Sequence, residues 1–328
     1  MTNSKHPILV FGATGRQGGS VAKALLKAGW PVRALVPDST KAASLQLRNS
    51  GVELVQGSFE ETKVVRTAMK DAYGVFSVLP ASLAAEDEVR HGISIADIAA
   101  ETGVNHFVYS SGASVGNELT GVPRFDAKPR IEAHIRQLDM TTTIIRPMIF
   151  MEMLVRPGFG LDEGRLVSLI RDMTTTIIRP MIFMEMLVRP GFGLDEGRLV
   201  SLIRSDHSIQ LTAVEDIGRF VAAVLADKSR FGGATLKIAS DRLTGRELAV
   251  ILSEAIGRPI AYERFPEDVL AANADLAHMA ESLEDGPLAE QVDLELMREI
   301  NPDLLTFRSW LARSGRRSLD AALSVSAS

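Results

Sequence analysis

The chain has 328 residues, of which 46% are hydrophobic and 23% charged, the composition of an ordinary soluble globular protein. Its net charge of −5 argues against direct nucleic-acid binding, and the lack of cysteine excludes disulfides, thiolate zinc sites and a cysteine nucleophile. No apolar run reaches the roughly 20 residues of a membrane helix. The short polar start resembles no signal peptide, so we expect a cytoplasmic protein without membrane contact.

The first strong pattern is a glycine-rich turn between a buried strand and a helix. Residues 8–11 are apolar, glycines follow, and residues 20–28 have helical periodicity. A helix that begins directly after a strand points its unpaired N–H groups and the positive end of its dipole outward, where a phosphate can bind. Glycine lets the backbone come close to that phosphate. A purely structural turn is the alternative. The predicted dinucleotide site consists of Gly12, Thr14, Gly15, Arg16, Gln17 and Gly18.

Strands and helices alternate along the first 150 residues. Strands are predicted at 31–36, 52–56, 74–79 and 104–110, and helices at 60–71 and 86–102. Such βαβ units form a doubly wound parallel sheet, which binds ligands at the carboxyl ends of its strands. The sequence therefore predicts an α/β fold. Residues 1–150 form its Rossmann-like core, and residues 151–328 form a smaller α/β lobe with segments that return to the core.

The residues after the second predicted strand bear on the choice of cofactor. An acidic side chain there binds the ribose 2′-hydroxyl of NAD, whereas a basic one binds the 2′-phosphate of NADP. This place holds Pro37 and Asp38, while Arg16, Arg33 and Lys41 supply positive charge nearby. We predict NAD(P) binding with a slight preference for NADP.

Two further segments reach the same predicted edge of the sheet. Pro80 follows the fourth strand, and Ser110 and Ser111 end the fifth. The serine hydroxyls are suited to contact nicotinamide or substrate; a simple strand-end turn is the alternative.

Other polar residues have simpler interpretations. Glu86, Asp87 and Glu88 are interpreted as a solvated helix start that the helix dipole favours. The six histidines lack the spacing of metal ligands, so we predict no metal site. The segment from Gly315 onward is small and polar, and we expect it to fray.

An exact tandem repeat interrupts the pattern, because residues 139–171 recur unchanged as residues 172–204. A solenoid needs at least three diverged repeats, so two identical copies indicate a recent duplication or an artefact. We expect residues 141–146 of the first copy to fill the single strand position in the sheet, since a short loop joins them to the preceding helix. The tail of the second copy then leads into the following chain, and residues near 155–187 form a surplus excursion.

Several motifs in sequence order resemble the NmrA-like family, atypical relatives of the extended short-chain dehydrogenases. They are GATGRQGG at 12–19, FVYSSGA at 107–113, FDAK at 125–128, TIIRP at 143–147 and AVEDIGRF at 213–220, with a strand-and-helix tail at 234–262. The resemblance covers nearly the whole chain. It implies dinucleotide binding. It also implies one of two functions, since many members report on redox state and relatives in the isoflavone-reductase branch reduce substrates with a lysine in the chief role.

Short-chain dehydrogenases use a tyrosine that passes a proton and a lysine, four residues later, that holds the nicotinamide ribose. Lys128 matches the lysine position, before a helix predicted to begin at Pro129. The residue four positions earlier is Arg124, whose guanidinium cannot shuttle a proton near neutral pH. The resemblance therefore implies Lys128 as a cofactor-binding and catalytic residue without the usual acid.

Two functions remain open at this point. One is a cofactor-responsive regulator or weak oxidoreductase, in which a protein partner senses NAD(P) occupancy through the lobe after residue 150. The other is an NAD(P)H-dependent reductase of a small apolar carbonyl, quinone or alkene. Its pocket candidates are Phe150, Met151, Met153 and Leu154. The missing tyrosine argues against a third interpretation, a sugar-nucleotide epimerase. The sequence does not decide whether the chain forms a homodimer.

Overall fold

A computed structural model describes residues 6–80, 82–112, 123–147 and 197–271, and residues 277–323 except 278–279, 282–283, 286–288 and 290. The strands are β1 (Ile8–Val10), β2 (Val32–Val36), β3 (Glu53–Gln56), β4 (Gly74–Ser77), β5 (His106–Ser110), β6 (Thr142–Pro147), β7 (Arg198–Ser201), β8 (Ser208–Leu211), β9 (Thr235–Ile238), β10 (Asp241–Thr244) and β11 (Ala261–Arg264). The α-helices are α1 (Arg16–Lys27), α2 (Ala42–Asn49), α3 (Thr62–Met69), α4 (Ala85–Glu101), α5 (Pro123–Ile135), α6 (Val214–Ala226), α7 (Lys228–Phe231), α8 (Gly245–Ile256), α9 (Glu267–Ala271), α10 (Leu294–Ile300), α11 (Phe307–Trp310) and α12 (Arg316–Leu323).

The chain divides into two compact units, and the first comprises Met1–Pro147, Val214–Ile238 and Glu299–Pro302. Its centre is a seven-stranded parallel sheet in the order β3-β2-β1-β4-β5-β6-β9. Since β1 pairs with β2 on one side and β4 on the other, the chain winds outward from β1 in both directions. The predicted α/β class with a doubly wound parallel sheet is confirmed.

Helices pack on both faces of this sheet. Leu9, Val75 and Phe107 belong to one buried apolar cluster with residues of α3, α4 and α5. Successive strand residues face opposite sides, and on the other side a Cβ on Gly74 would lie 2.9 Å from Leu225 of α6. Strands covered on both faces explain the nearly continuous apolar runs in the sequence.

The first copy of the repeat supplies a strand of the parallel sheet. Residues 142–147 form β6 between β5 and β9, as predicted. The tail of the second copy forms β7, which pairs in parallel with β11 in the second unit. The proposed excursion at 155–187 and the pocket candidates Phe150, Met151, Met153 and Leu154 lie outside the described residues.

The second unit comprises Met148–Ala213, Ala239–Arg298 and Asp303–Ser328. Within its described part, β8 pairs antiparallel with β10, and Thr244 and Glu247 form a capping box at the start of α8. A π-helix (Leu311–Gly315) is followed by α12, so the described part of the tail, up to residue 323, is helical and not frayed as expected. Leu319 and Trp310 are fully buried, and the free energy gained from this burial offsets the conformational entropy that the segment loses when it becomes ordered.

Three helices differ from the sequence prediction, one in its existence and two in where they begin. The unpredicted helix α2 buries only Ser44, so it has no apolar stripe to detect. The first turn of α1 includes Gly18, and α1 begins at Arg16 rather than residue 20. Helix α5 begins at Pro123 and contains Pro129 in its interior, because the buried contacts of neighbouring residues outweigh the missing proline N–H.

No helix in the described ranges is long and apolar enough to cross a membrane. Within those ranges there is also no group of three or more His, Asp or Glu residues that could hold a metal ion.

Candidate functional site

The glycine turn lies where the winding of the sheet reverses. Gly12 has φ +66°, a left-handed conformation that other residues rarely adopt. Its carbonyl oxygen accepts a hydrogen bond from the Gly15 N–H at 2.9 Å. A Cβ on Gly12 would lie 2.8 Å from Val78 at the end of β4. A Cβ on Gly18 would lie 2.7 Å from Ala13 N and closer still to Gly12 O. The left-handed backbone of Gly12 and the lack of room for a Cβ at Gly18 therefore require glycine at both positions.

The N-terminus of α1 is open to an anion. Its N-cap, Gly15, has extended backbone and no side-chain cap, and the first turn contains no acidic residue. Gly12, Thr14, Gly15 and Arg16 are exposed. A helix start of this kind presents backbone N–H groups and partial positive charge to a ligand.

The end of β5 is connected directly to this helix start. The Ser110 hydroxyl donates to Gln17 Oε1 at 2.8 Å, so the two predicted site residues lie together. Ser111 is buried, and its N–H donates to Ile145 O at 2.9 Å. Pro80 is exposed after β4, which lies between β1 and β5 in the sheet.

Lys128 lies beside the end of β5 in a buried ion pair that the sequence did not predict. Its Nζ is 2.8 Å from Glu88 Oε1, and the two side chains are only 15% and 4% exposed. The same Nζ is 5.7 Å from the ring centroid of Tyr109, within cation–π range. The Lys128 Cδ would be 3.4 Å from a Cβ on Gly112, so the lysine stem runs past the residues that follow β5.

The interpretation of Glu88 as solvated is wrong. Glu86, two residues earlier, is 71% exposed, but Glu88 lies on the buried face of α4 with Gly92 and Ile95. The spacing 88, 92, 95 follows the helical period, and this signal in the sequence places the carboxylate on the apolar stripe.

Close packing of α4 and α5 brings Glu88 and Lys128 together. A Cβ on Gly92 would lie 2.5 Å from Ile131 Cδ1, so glycine permits the approach of the two helices. Glu86 and Arg130 form a more exposed ion pair at 2.6 Å across the same interface.

The structure corrects the expected phosphate contact of Arg33. Its Nη1 donates to Ala68 O and Lys70 O at 2.8 Å, and its Nε is 3.0 Å from Glu53. These carbonyls end α3 and precede β4, so Arg33 lies at the amino edge of the parallel sheet, opposite the glycine turn.

Residues of both charge signs occupy the loop after β2. Asp38 Oδ1 accepts hydrogen bonds from the Thr40 hydroxyl at 2.6 Å and the Thr40 N–H at 2.8 Å. These bonds hold the pKa of Asp38 below its ordinary value. Lys41 is exposed and immediately precedes α2. Arg124 is the second residue of α5, and its side chain lies outside the description.

Comparisons with known proteins identify relatives of this chain. An NmrA-like family domain-containing protein of Dictyostelium discoideum is 24% identical over 261 residues, covering 78% of this chain and 79% of that protein. The NmrA-like family domain-containing oxidoreductase hkm9 of Aspergillus hancockii is 34% identical over 146 residues, 42% of this chain and 44% of that protein.

Solved structures share the fold. NmrA, a negative transcriptional regulator, in complex with NADP aligns with a TM-score of 0.70 and 18% identity over 97% of this chain and 98% of that chain. The triphenylmethane reductase of Citrobacter sp. complexed with NADP(H) aligns with a TM-score of 0.67 and 17% identity over 97% of this chain and 100% of that chain. The model of the NmrA-like family matches residues 4–310. The chain belongs to the NmrA-like family.

Proposed function

We propose that the chain binds NAD(P) at the carboxyl edge of its parallel sheet and acts as a redox-responsive regulator or weak oxidoreductase. The carrying observation is the glycine turn, where Gly12 is left-handed and Gly18 leaves no room for a Cβ beside the open start of α1. A turn without side chains in front of an open helix N-terminus lets a pyrophosphate come close to the backbone N–H groups. Membership of the NmrA-like family also supports the proposal.

Each part of the edge has a role in this proposal. The pyrophosphate binds the backbone of residues 12–18, and the adenosine ribose lies toward Lys41. The nicotinamide half lies near Pro80, Ser110 and Ser111, with Lys128 holding its ribose. When bound, NAD(P)H supplies a hydride, while the side chains of this chain bind and orient the dinucleotide.

We further propose that NADP is preferred. Arg16 and Lys41 are exposed cations near this edge, and they replace the contact that Arg33 does not make. The ionised Asp38 opposes a 2′-phosphate and suits the 2′-hydroxyl of NAD, so the preference is small. The NmrA structures include complexes with NADP and with NAD.

The position of Arg124 favours the regulator over an efficient enzyme, because an arginine supplies no transferable proton. A reductase of small apolar carbonyls, quinones or alkenes is the second candidate, and the buried Lys128–Glu88 pair beside the nicotinamide half supports it. Relatives with oxidoreductase in their names also support this candidate.

The test is fluorescence titration of NADPH and NADH, followed by NADPH oxidation with a panel of quinones and carbonyls. Saturable binding that Gly18→Val abolishes supports the site, with Lys23→Val, which introduces the same residue at an exposed position of the same helix, as the control variant. Turnover that Lys128→Met removes supports the reductase, whereas binding without turnover supports the regulator. A chain that binds neither dinucleotide contradicts the proposal.

A further inference from the structure

We propose that Glu88 is a positioning residue that holds the Lys128 ammonium in place for the nicotinamide ribose. The inference rests on the proposed cofactor site and assigns a role to a residue of α4 that lies outside the glycine turn. The carboxylate acts through the lysine and does not itself touch the cofactor.

Burial makes a partner necessary for this lysine. An ammonium in a largely buried position loses most of its hydration, and the loss is costly unless an opposite charge and hydrogen bonds replace it. Glu88 provides both at 2.8 Å, and it is even more buried than Lys128. A carboxylate in the first turn of α4 is in turn favoured by the helix dipole.

The contacts around Lys128 also fix its direction. The Tyr109 ring lies on one side of Nζ, and Gly112 leaves room for the side-chain stem beside the end of β5. An ammonium has three donors, so a bond to Glu88 is compatible with donation to ribose hydroxyls. A flexible lysine would lose conformational entropy when it binds a ligand, and a lysine already held by Glu88 loses less.

A purely structural role as a clip between α4 and α5 is the competing explanation. The same interface has the exposed pair Glu86–Arg130, which joins the helices without involving Lys128. Glu86→Gln is therefore a matched control, since it removes a clip of the same chemistry two residues away and leaves the lysine untouched.

The experiment measures dissociation constants for NADPH and for its adenosine fragment 2′,5′-ADP, which lacks the nicotinamide ribose. We expect Glu88→Gln to weaken NADPH binding about tenfold, the loss of one charge-assisted contact, and to leave 2′,5′-ADP binding unchanged. Glu88→Asp should recover part of the loss, and Glu86→Gln should bind both ligands as the unmodified chain does.

A double-mutant cycle with Lys128→Met completes the test. Glu88→Gln should cause no further loss in the Lys128→Met background, because the lysine it positions is gone. The inference is overturned if Glu88→Gln binds NADPH normally, weakens both ligands equally, or costs as much without Lys128. If the unmodified chain binds neither NADPH nor NADH, the proposed function itself fails.

Discussion

In the proposed cofactor site, Asp38 and Lys41 place opposite charges on the loop where the 2′ substituent of the dinucleotide would lie. Both follow β2, and the pKa of Asp38 is lowered by the hydrogen bonds from Thr40, so the carboxylate is ionised near neutral pH. A 2′-phosphate attracts the lysine and repels the aspartate, whereas a 2′-hydroxyl has no charge.

We expect Lys41→Ala to weaken NADPH binding about five- to tenfold, and NADH binding much less, because an exposed ion pair with a phosphate is worth of the order of 1 kcal/mol. Asp38→Asn should shift the preference further toward NADPH. Parallel titrations at two salt concentrations measure both effects. Equal losses for the two cofactors in Lys41→Ala would contradict the proposed 2′-phosphate contact.

His106 provides a second prediction at the scale of one residue. Its Nε2 lies 2.8 Å from the Thr143 hydroxyl, which donates to Phe231 O. Burial, with a smaller contribution from Lys228, lowers the pKa of His106 from 6.5 to about 4. As the pH falls below 6.5 the unfolded chain binds a proton that the folded chain rejects, so stability falls until about pH 4.

We expect this histidine to account for about 3 kcal/mol of lost stability between pH 7 and pH 4, following the linkage of one pKa unit to 1.36 kcal/mol. His106→Gln keeps an N–H donor and cannot be protonated, so its stability should depend less on pH. Urea unfolding at several pH values provides the measurement. Parallel pH curves for the two chains would show that His106 is not responsible.

At the scale of elements, β6 is held in the sheet by side chains that also occur, unchanged, in the second copy of the repeat. Arg146 Nε donates to the fully buried Glu132 of α5 at 2.9 Å, and Arg136 binds the same carboxylate. Burial alone would raise the pKa of Glu132, but the bonds from Arg146 hold it below its ordinary value. The corresponding residue of the second copy is Arg179.

We expect Arg146→Ala to lose less stability than Arg146→Ala/Arg179→Ala. Breaking a buried ion pair costs about 3 kcal/mol, but an intact second copy offers an identical strand whose use changes only the position of a loop, a small entropy term. Arg179→Ala alone should be nearly neutral. Chemical unfolding of the three variants tests this. Equal losses for the single and double variants would mean that the first copy alone can fill the strand position.

Local sequence was less informative about the boundaries of helices. The apolar periodicity located α3 and α4, whereas α2 has no apolar stripe and α5 contains an internal proline. In both cases the helix depends on neighbouring elements, which a local pattern does not contain.

At the scale of the whole molecule, the repeat leads to a prediction about the shortened chain. Removing either copy leaves the same 295 residues, with one strand for β6 and one tail for β7. We expect this form to bind NADPH with unchanged affinity, because the glycine turn and Lys128 precede the repeat. Titration and thermal unfolding of both lengths measure the outcome. A much weaker affinity in either form would place the surplus residues near the cofactor.

The sequence by itself determined the α/β class, the parallel sheet and the glycine turn, because each depends on patterns within a few neighbouring residues. Only the tertiary structure decided that Arg33 is bound at the opposite edge and that Glu88 is buried against Lys128. These side chains find their partners 20 to 40 residues away along the chain. Helical periodicity shows which face a residue occupies, but the packing of α4 on α5 determines what that face meets.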